Sequence, residues 1–202
     1  MNRTDADITL QDFITRFQLQ LPGLPVRLSP QRQAASSPQR QAAVLIPIVC
    51  HPQPTLLLTE RAKTLRKHAG QVAFPGGAAD PGDASLIMTA LREAHEEVAL
   101  SPTEVTVLGT LPPVDSSSGF RVTPVVGLVA PGLQLDANRQ EVDQIFEIPL
   151  HAAMQLSNYS ALDIQHRSRN LRVYFSWYQQ HMVWGMTAQI LYRLGQQIRR
   201  SG

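Results

Sequence analysis

Apolar residues are spaced for strands over much of the chain. Residues 43–50, AVLIPIVC, form a continuous apolar run of strand length, a pattern typical of a strand that is buried on both faces. Residues 55–59 predict a second strand, and the prolines and polar residues at 51–54 predict a turn that joins the two as a hairpin. The folded domain is therefore expected to begin near Ala42.

Further strands are predicted along the rest of the chain, together with a short helix or turn at 141–147. The predicted strands cover residues 71–74, 104–111, 122–130, 171–179 and 181–184. The strand at 122–130 is apolar enough to be central in a sheet, although Pro124 limits its pairing. The last two strands are rich in aromatic and β-branched residues and indicate a second hairpin.

Helical patterns are placed in three segments, at residues 8–20, 76–100 and 188–200. The first helix is expected to have Asp5 or Asp7 near its start, and Thr187 is expected to cap the last. Strands therefore come before, between and after few helices, which differs from a regular alternation of strand and helix. The sequence predicts an α/β fold with a mixed β-sheet flanked by helices.

A stretch rich in Pro, Gln and Ser separates the first helix from the first strand. It contains SPQRQAA at 29–35 and again at 37–43. An eight-residue repeat is too short for a solenoid unit, so we interpret the stretch as a flexible linker. The expected organisation is an N-terminal helix in residues 1–21, a linker at 22–41, the main domain at 42–170, and a hairpin and helix at 171–202 packed on that domain.

Composition limits the class of protein. Of the 202 residues, 43% are hydrophobic, which suits one globular domain with a sizeable core. The net charge is +2 without a Lys/Arg stripe, which argues against a nucleic-acid partner. Cys50 is the single cysteine, which excludes an internal disulfide and fits a reducing compartment. Because neither a membrane-length apolar run nor a signal peptide is recognisable, we expect a cytoplasmic protein without a membrane partner.

The helix within residues 76–100 ends in an acidic segment. At about 100° per residue, its apolar residues occupy one arc roughly 140° wide, and Glu93 and Glu97 lie at the edge of that arc. Charges that only solvate a helix usually lie opposite the buried stripe, whereas carboxylates at its border stand at the rim of a cleft. Arg92 and Glu96 are one turn apart, so the arginine can hold that carboxylate. The spacing leaves open a divalent metal site or a solvated helix end.

This segment resembles the Nudix box, G-x5-E-x7-R-E-U-x-E-E-x-G-U with U an aliphatic residue. The box is the signature of hydrolases that act on a nucleoside diphosphate linked to another moiety. The matching positions are Gly77, Arg92, Glu93, Glu96, Glu97 and Leu100. Asp83 stands in place of the first Glu, one residue too early, and Ala99 replaces the second glycine. The metal-binding half is intact, and the departures point to an altered shape of the upstream loop.

The resemblance implies an α/β/α sandwich over roughly residues 40–170 and a divalent cation, Mg²⁺ or Mn²⁺, as cofactor. It implies Glu93 and Glu97 as metal ligands, often together with Glu96, and a substrate diphosphate bound at Gly76 and Gly77. Glu96 is also a candidate for catalysis. The catalytic base varies within the family; our candidate is Glu141, whose alternative role is an exposed loop acid. A turn at the glycine pair would let the backbone approach a phosphate closely.

The stretch just upstream narrows the substrate. Residues 57–77 resemble LLTxRxxxLRxHxGQVxFPGG, the motif of the coenzyme A pyrophosphatase subgroup. Within it, the positively charged or basic residues are Arg61, Arg66, Lys67 and His68. Coenzyme A carries a diphosphate and a ribose 3′-phosphate, and arginine binds phosphate through two parallel hydrogen bonds. A solvated basic loop is the alternative interpretation of this cluster.

The resemblance therefore implies hydrolysis of coenzyme A or its thioesters to 3′,5′-ADP and a 4′-phosphopantetheine compound. A second possibility keeps the fold but changes the substrate to ADP-ribose, a dinucleotide or a nucleoside triphosphate. A third is a non-catalytic module that binds nucleotide as a sensor, against which the three clustered glutamates argue. The sequence leaves the oligomeric state undetermined.

Overall fold

The computed structural model describes residues 8–19, 40–66, 68–166 and 169–200. The helices in these ranges are α1 (Leu10–Gln18), α2 (Leu86–Val98), α3 (Leu150–Met154) and α4 (Gly185–Arg200). The strands are β1 (Arg40–Val49), β2 (Thr55–Arg61), β3 (Val72–Ala73), β4 (Gly76–Ala78), β5 (Val105–Thr110), β6 (Val114–Asp115), β7 (Phe120–Val129), β8 (Val142–Pro149), β9 (Ser160–His166), β10 (Arg169–Tyr178) and β11 (His181–Trp184).

Strand β1 is central in the larger sheet, as its apolar run predicts. It pairs in parallel with β7 over its whole length, from Arg40 opposite Phe120 to Val49 opposite Val129. It pairs antiparallel with β2, which confirms the predicted hairpin, and with β4. The strand order is β3–β2–β1–β7–β5, and β8 runs antiparallel beside β2. The sheet is therefore mixed, as predicted.

Helices cover both faces of this sheet. On one face, α2 packs in a core cluster that includes Leu45, Ala90, Ala94, Val98 and Val125. On the other, α1, α3 and α4 share a cluster that includes Phe13, Ile46, Leu58, Leu150 and Leu191. The predicted α/β fold with helices on both sides of a mixed sheet is confirmed. A separate three-stranded sheet, β9–β10–β11, packs its inner face on α4.

The structure differs from the predicted elements at several points. Residues 141–147, predicted to contain a short helix or turn, have a turn only at Glu141 and otherwise belong to β8, an outer strand whose mixed polar and apolar pattern is less distinctive than that of a buried one. Strand β9 was not predicted at all. Thr187 lies inside α4 rather than capping it, because its hydroxyl donates a hydrogen bond to the Val72 carbonyl, 3.0 Å away. The predicted second hairpin, β10–β11, is confirmed.

The N-terminal helix is held to the sheet by its aromatic residues. Thr9 begins α1 with a reciprocal cap, in which its side chain accepts from the Asp12 N–H and its own N–H donates to the Asp12 carboxylate. Phe13 and Phe17 are buried in the core cluster. The expected starts at Asp5 or Asp7, and the linker over 20–39, lie outside the described residues. Arg40 and Gln41, assigned to that linker, begin β1.

Pro124 does not interrupt β7. It lies opposite Val44 in the continuous parallel pairing with β1, and its carbonyl accepts a hydrogen bond from the Leu111 N–H at 2.9 Å.

In the described part of the chain, the helices are too short or too polar to cross a bilayer.

Helix α2 ends in a left-handed residue. Ala99, which stands where the Nudix pattern has glycine, adopts φ 57° and ψ 24° and donates its N–H to the His95 carbonyl. A residue with a Cβ costs about 1–2 kcal/mol in this conformation, whereas glycine adopts it freely. The sequence departure at this position is therefore a local strain at the helix end.

We expect Ala99→Gly to raise the free energy of unfolding by about 1 kcal/mol, because it removes this strain at an exposed position. Urea unfolding followed by circular dichroism measures the change. The matched control is Ala84→Gly, an exposed alanine outside the positive-φ set, which should lower stability by about 0.5 kcal/mol. A destabilised Ala99→Gly protein would contradict the assignment of strain.

Candidate active site

Helix α2 presents its carboxylates as the periodicity predicts. Ser85 caps the helix by accepting a hydrogen bond from the Met88 N–H. The apolar stripe is buried, and Glu97 at its border is only 3% exposed. Glu93 is half-buried, and Glu96 is exposed. One face of this helix end therefore carries acids that the fold withdraws from water to different extents.

Glu97 is a buried carboxylate with weak compensation. It accepts a hydrogen bond from the Gly76 N–H at 3.2 Å, and Arg61 Nη1 lies 3.8 Å from its other oxygen. Burial raises the pKa of Glu97 to about 7, against the Gly76 hydrogen bond and the Arg61 charge. The negative charges of Glu141 and Glu93 raise this pKa further. A cation bound at this point would favour the charged form of Glu97, against both its burial and the repulsion from the neighbouring acids.

Glu93 lies directly against β4. A Cβ added to Gly77 would come within 2.5 Å of the Glu93 carboxyl carbon, so only glycine leaves room for this side chain. Glu93 also accepts a hydrogen bond from Arg92 Nη1 at 3.0 Å. Burial raises the pKa of Glu93, Arg92 opposes this effect, and Glu96 and Glu141 add to it.

Arg92 braces the acidic cluster. Its Nε and Nη2 each lie 3.0 Å from one Asp83 oxygen, and Nη2 also donates to the Ala78 carbonyl. Its Nη1 donates to Glu93 and, at 3.1 Å, to Glu96. The predicted contact of Arg92 with Glu96 is confirmed. Asp83, which the sequence marks only as a departure from the box pattern, is the main partner of this arginine.

The Asp83 carboxylate is held in its ionised form. The hydrogen bonds from Arg92 are the largest cause of a pKa well below the usual range, and the Asp80 N–H and the Thr89 hydroxyl lower it further. The altered loop therefore still places a negatively charged carboxylate beside Arg92. The sequence signal for this pair was the Asp residue itself, displaced by one position.

The predicted glycine turn is wrong. Gly76 and Gly77 lie in strand β4, opposite Val44 and Ala43 of β1. A Cβ on Gly76 would lie 2.4 Å from the Ala43 carbonyl oxygen, so close strand packing requires this glycine. The Gly76 N–H is directed at Glu97. The pair thus makes room for a neighbouring strand and for the Glu93 carboxylate.

The basic loop between β2 and β3 is only partly directed at the acids. Arg61 reaches Glu97, and its Nε is buried without a hydrogen-bond partner in the described residues. Arg66 is exposed, and within the described chain it makes no hydrogen bond or ion pair. His68 is exposed at φ 58° and bonds Gln71 at 2.9 Å. Lys67 lies outside the described residues.

Glu141 lies near the acids of α2 although it is distant in sequence. It raises the pKa of both Glu93 and Glu97, and its carbonyl accepts a hydrogen bond from the Ala62 N–H at 2.8 Å. Glu141 lies in the turn before β8 and is half-buried.

The acidic cluster fits a hard divalent cation. Taken over the described residues, no three Asp, Glu, His or Cys side chains converge closely enough to hold a metal by themselves. Mg²⁺ commonly takes one or two protein carboxylates and completes its shell with water and substrate phosphate. Glu93 and Glu97, with raised pKa values and like-charged neighbours, could act as such a donor pair.

A separate groove of about 580 Å³ lies between β8 and the β10–β11 hairpin. Its lining includes Phe146, Trp177 and His181, and it contains none of the acids described above. His181 is buried, stacks on Phe146 at 3.8 Å between ring centroids, and lies 3.6 Å from Glu60. The groove is not predicted from the sequence, because the pattern of residues 141–147 does not mark β8 as a strand.

Sequence comparison places this site in a known family. The NUDIX domain family matches residues 39–169. A protein of Photorhabdus laumondii named "Uncharacterized Nudix hydrolase NudL" is 57% identical over 192 residues, which cover 95% of this chain and 99% of that protein. One of the same name from Pectobacterium atrosepticum is 60% identical over 189 residues and covers 94% of each chain.

Structural comparison agrees on the fold. A MutT/nudix family protein of Enterococcus faecalis superposes with a TM-score of 0.52 at 15% identity, covering 95% of this chain and 70% of that one. Nudix hydrolases act on phosphoric anhydride bonds and generally use divalent metal ions. With the family match over most of the chain and relatives of such high identity, this protein belongs to the Nudix hydrolases.

Proposed function

We propose that this enzyme hydrolyses the diphosphate bond of coenzyme A and its thioesters, giving 3′,5′-ADP and 4′-phosphopantetheine or its acyl derivative. The observation that carries the proposal is the position of Arg61, whose Nη1 is 3.8 Å from Glu97. Arg61 belongs to the motif that resembles the coenzyme A subgroup, whereas Glu97 belongs to the Nudix box. One contact thus joins the two motifs at a single site.

Glu93 and Glu97 would hold the Mg²⁺ or Mn²⁺ ion, with the exposed Glu96 available as a further oxygen donor. When bound, such a cation neutralises the diphosphate and polarises the phosphorus that is attacked. The Arg61 Nε, buried and without a partner in the described residues, would donate to a diphosphate oxygen. This contact would keep the substrate beside the carboxylates.

Glu141 is the proposed general base. Its position beside Glu93 and Glu97 allows it to take a proton from the water that attacks the phosphorus. The water oxygen forms the new P–O bond while the bridging P–O bond breaks, and the departing phosphate carries away the electron pair. Arg92 keeps Glu93 and Glu96 in place during this step.

The exposed end of the basic loop is the proposed contact for the ribose 3′-phosphate. Arg66 and His68 are exposed, so both are available to an anion. We also propose that the enzyme works in the cytoplasm, which the single free thiol of Cys50 supports.

We expect Glu93→Gln and Glu97→Gln each to lower kcat on the order of 100-fold or more while the fold is retained, because each removes a charged ligand oxygen. Chromatography of products from coenzyme A, acyl derivatives, ADP-ribose and NADH, with Mg²⁺ or Mn²⁺, measures this loss and the substrate preference together. Glu104→Gln, an exposed acid beyond α2, is the matched control and should keep full activity. Preference for ADP-ribose or NADH would reject the substrate, and an inactive wild type would favour the sensor role.

The same Glu97→Gln change should stabilise the metal-free protein at alkaline pH. The folded pKa of Glu97, about 7, is above its ordinary value of 4.5, so the wild type loses stability as pH rises between these values. Glutamine lacks this loss, so the melting temperature of the variant should exceed that of the wild type by a margin that grows from pH 5 to pH 8. Thermal melts in EDTA measure the margin, and Mg²⁺ should then raise only the wild-type value. A margin that shrinks with pH would contradict the burial argument.

A comparison of two substrates tests the proposed phosphate contact of the basic loop between β2 and β3. Arg66→Ala should lower kcat/KM roughly 10- to 150-fold on coenzyme A and far less on dephospho-coenzyme A, because one charge-assisted phosphate contact is lost. Arg61→Ala should harm both substrates alike, since Arg61 lies at the acids. Lys63→Ala, which removes another exposed charge from this loop, controls for general electrostatics. Equal losses on both substrates for Arg66→Ala would reject the 3′-phosphate contact and leave the hydrolase assignment standing.

A further inference from the structure

The outer face of the three-stranded sheet is apolar over the part whose side chains the structure describes. The pairing of β9, β10 and β11 places alternate residues of each strand on one face. Nine described side chains occupy this face, namely Ser160, Leu162, Ile164, Leu171, Val173, Phe175, Trp177, Met182 and Trp184. Eight of them are apolar, and the ninth is an uncharged serine.

The opposite, inner face of this sheet contacts the rest of the protein. Ser176, Tyr178 and Val183 are buried, and Tyr174 stacks on Tyr192 of α4 at 4.3 Å between ring centroids. The part of this inner face that β10 and β11 form therefore already packs on the protein. An antiparallel sheet covered on one side ordinarily turns polar residues to water on the other, and this sheet does not.

The apolar face is large and open. Trp177 is 62% exposed, Leu162 58%, and Trp184 42%. Together the eight apolar residues leave roughly 500 Å² of apolar surface in contact with water, near the upper end for the largest patch on a monomeric protein. The largest apolar patch on a monomeric protein is often functional, which makes this face a candidate for a surface that another molecule covers.

We propose that two copies of this chain pack face to face through this sheet surface. A standard interface buries about 800 Å² per partner, with an apolar core and a polar rim, and the patch supplies most of such a core. Gln179, exposed just beyond the end of β10, would supply part of the rim. Two twisted sheets stack through such faces at a spacing of about 10 Å.

Sedimentation velocity from about 1 to 100 μM tests the proposal. The wild type should sediment as a dimer, and Leu162→Arg and Trp177→Arg should each raise the dimer dissociation constant at least about 100-fold, because the symmetry places every introduced charge in the interface twice. Thr106→Arg, at an exposed position in β5, is the matched control and should remain dimeric. A wild type that is monomeric at 100 μM, or arginine variants that stay dimeric, would overturn the proposal.

Cross-linking keeps the test independent of folding in the arginine variants. In a Cys50→Ser background, Val173→Cys should give a covalent dimer with a short bismaleimide, whereas Thr106→Cys should not. A dimer that fails to cross-link through Val173→Cys would place the interface elsewhere. Co-sedimentation with neutral and anionic phospholipid vesicles gives the remaining outcome: binding by a monomeric wild type that Leu162→Arg abolishes would assign the face to lipid instead.

Discussion

The site depends on keeping a carboxylate out of water. Glu97 is buried between α2 and β4, with one backbone N–H and one arginine at a distance to compensate it. Burying an ionised group in this way opposes folding unless a counter-charge is bound. The fold tolerates this because α2 is anchored by a continuous apolar stripe and β4 by its pairing with β1. The rest of the molecule supplies the stability that offsets the cost of burying Glu97.

Arg92 fixes the relative positions of the groups around the acidic end of α2. A single guanidinium joins the loop before α2, the carbonyl of β4 and two acids of the helix. The shorter, displaced Asp83 still meets it, so the departure from the box pattern is absorbed by the loop rather than by the acids. Local sequence drift is therefore compatible with a constant arrangement around the arginine.

Local periodicity was enough to predict the border positions of Glu93 and Glu97, because helical geometry depends only on nearby residues. Non-local pairing was not visible in this way. The glycines of β4 looked like a turn because the β1 backbone that crowds Gly76 is over thirty residues away in sequence. Strand β8 looked irregular because an outer strand lacks a continuous apolar run. The hairpin β10–β11 was predictable, but which face was covered depended on α4 and on the unpredicted β9.

The contact between α1 and α4 has a consequence for synthesis on the ribosome. α1 ends at Gln18, whereas its packing partner begins at Gly185. During translation, Phe13 and Phe17 are made long before the helix that completes their core cluster. Their side chains therefore remain exposed on the nascent chain until then, and chaperones bind exposed hydrophobic segments of this kind. This contact can therefore close only after α4 has been synthesised.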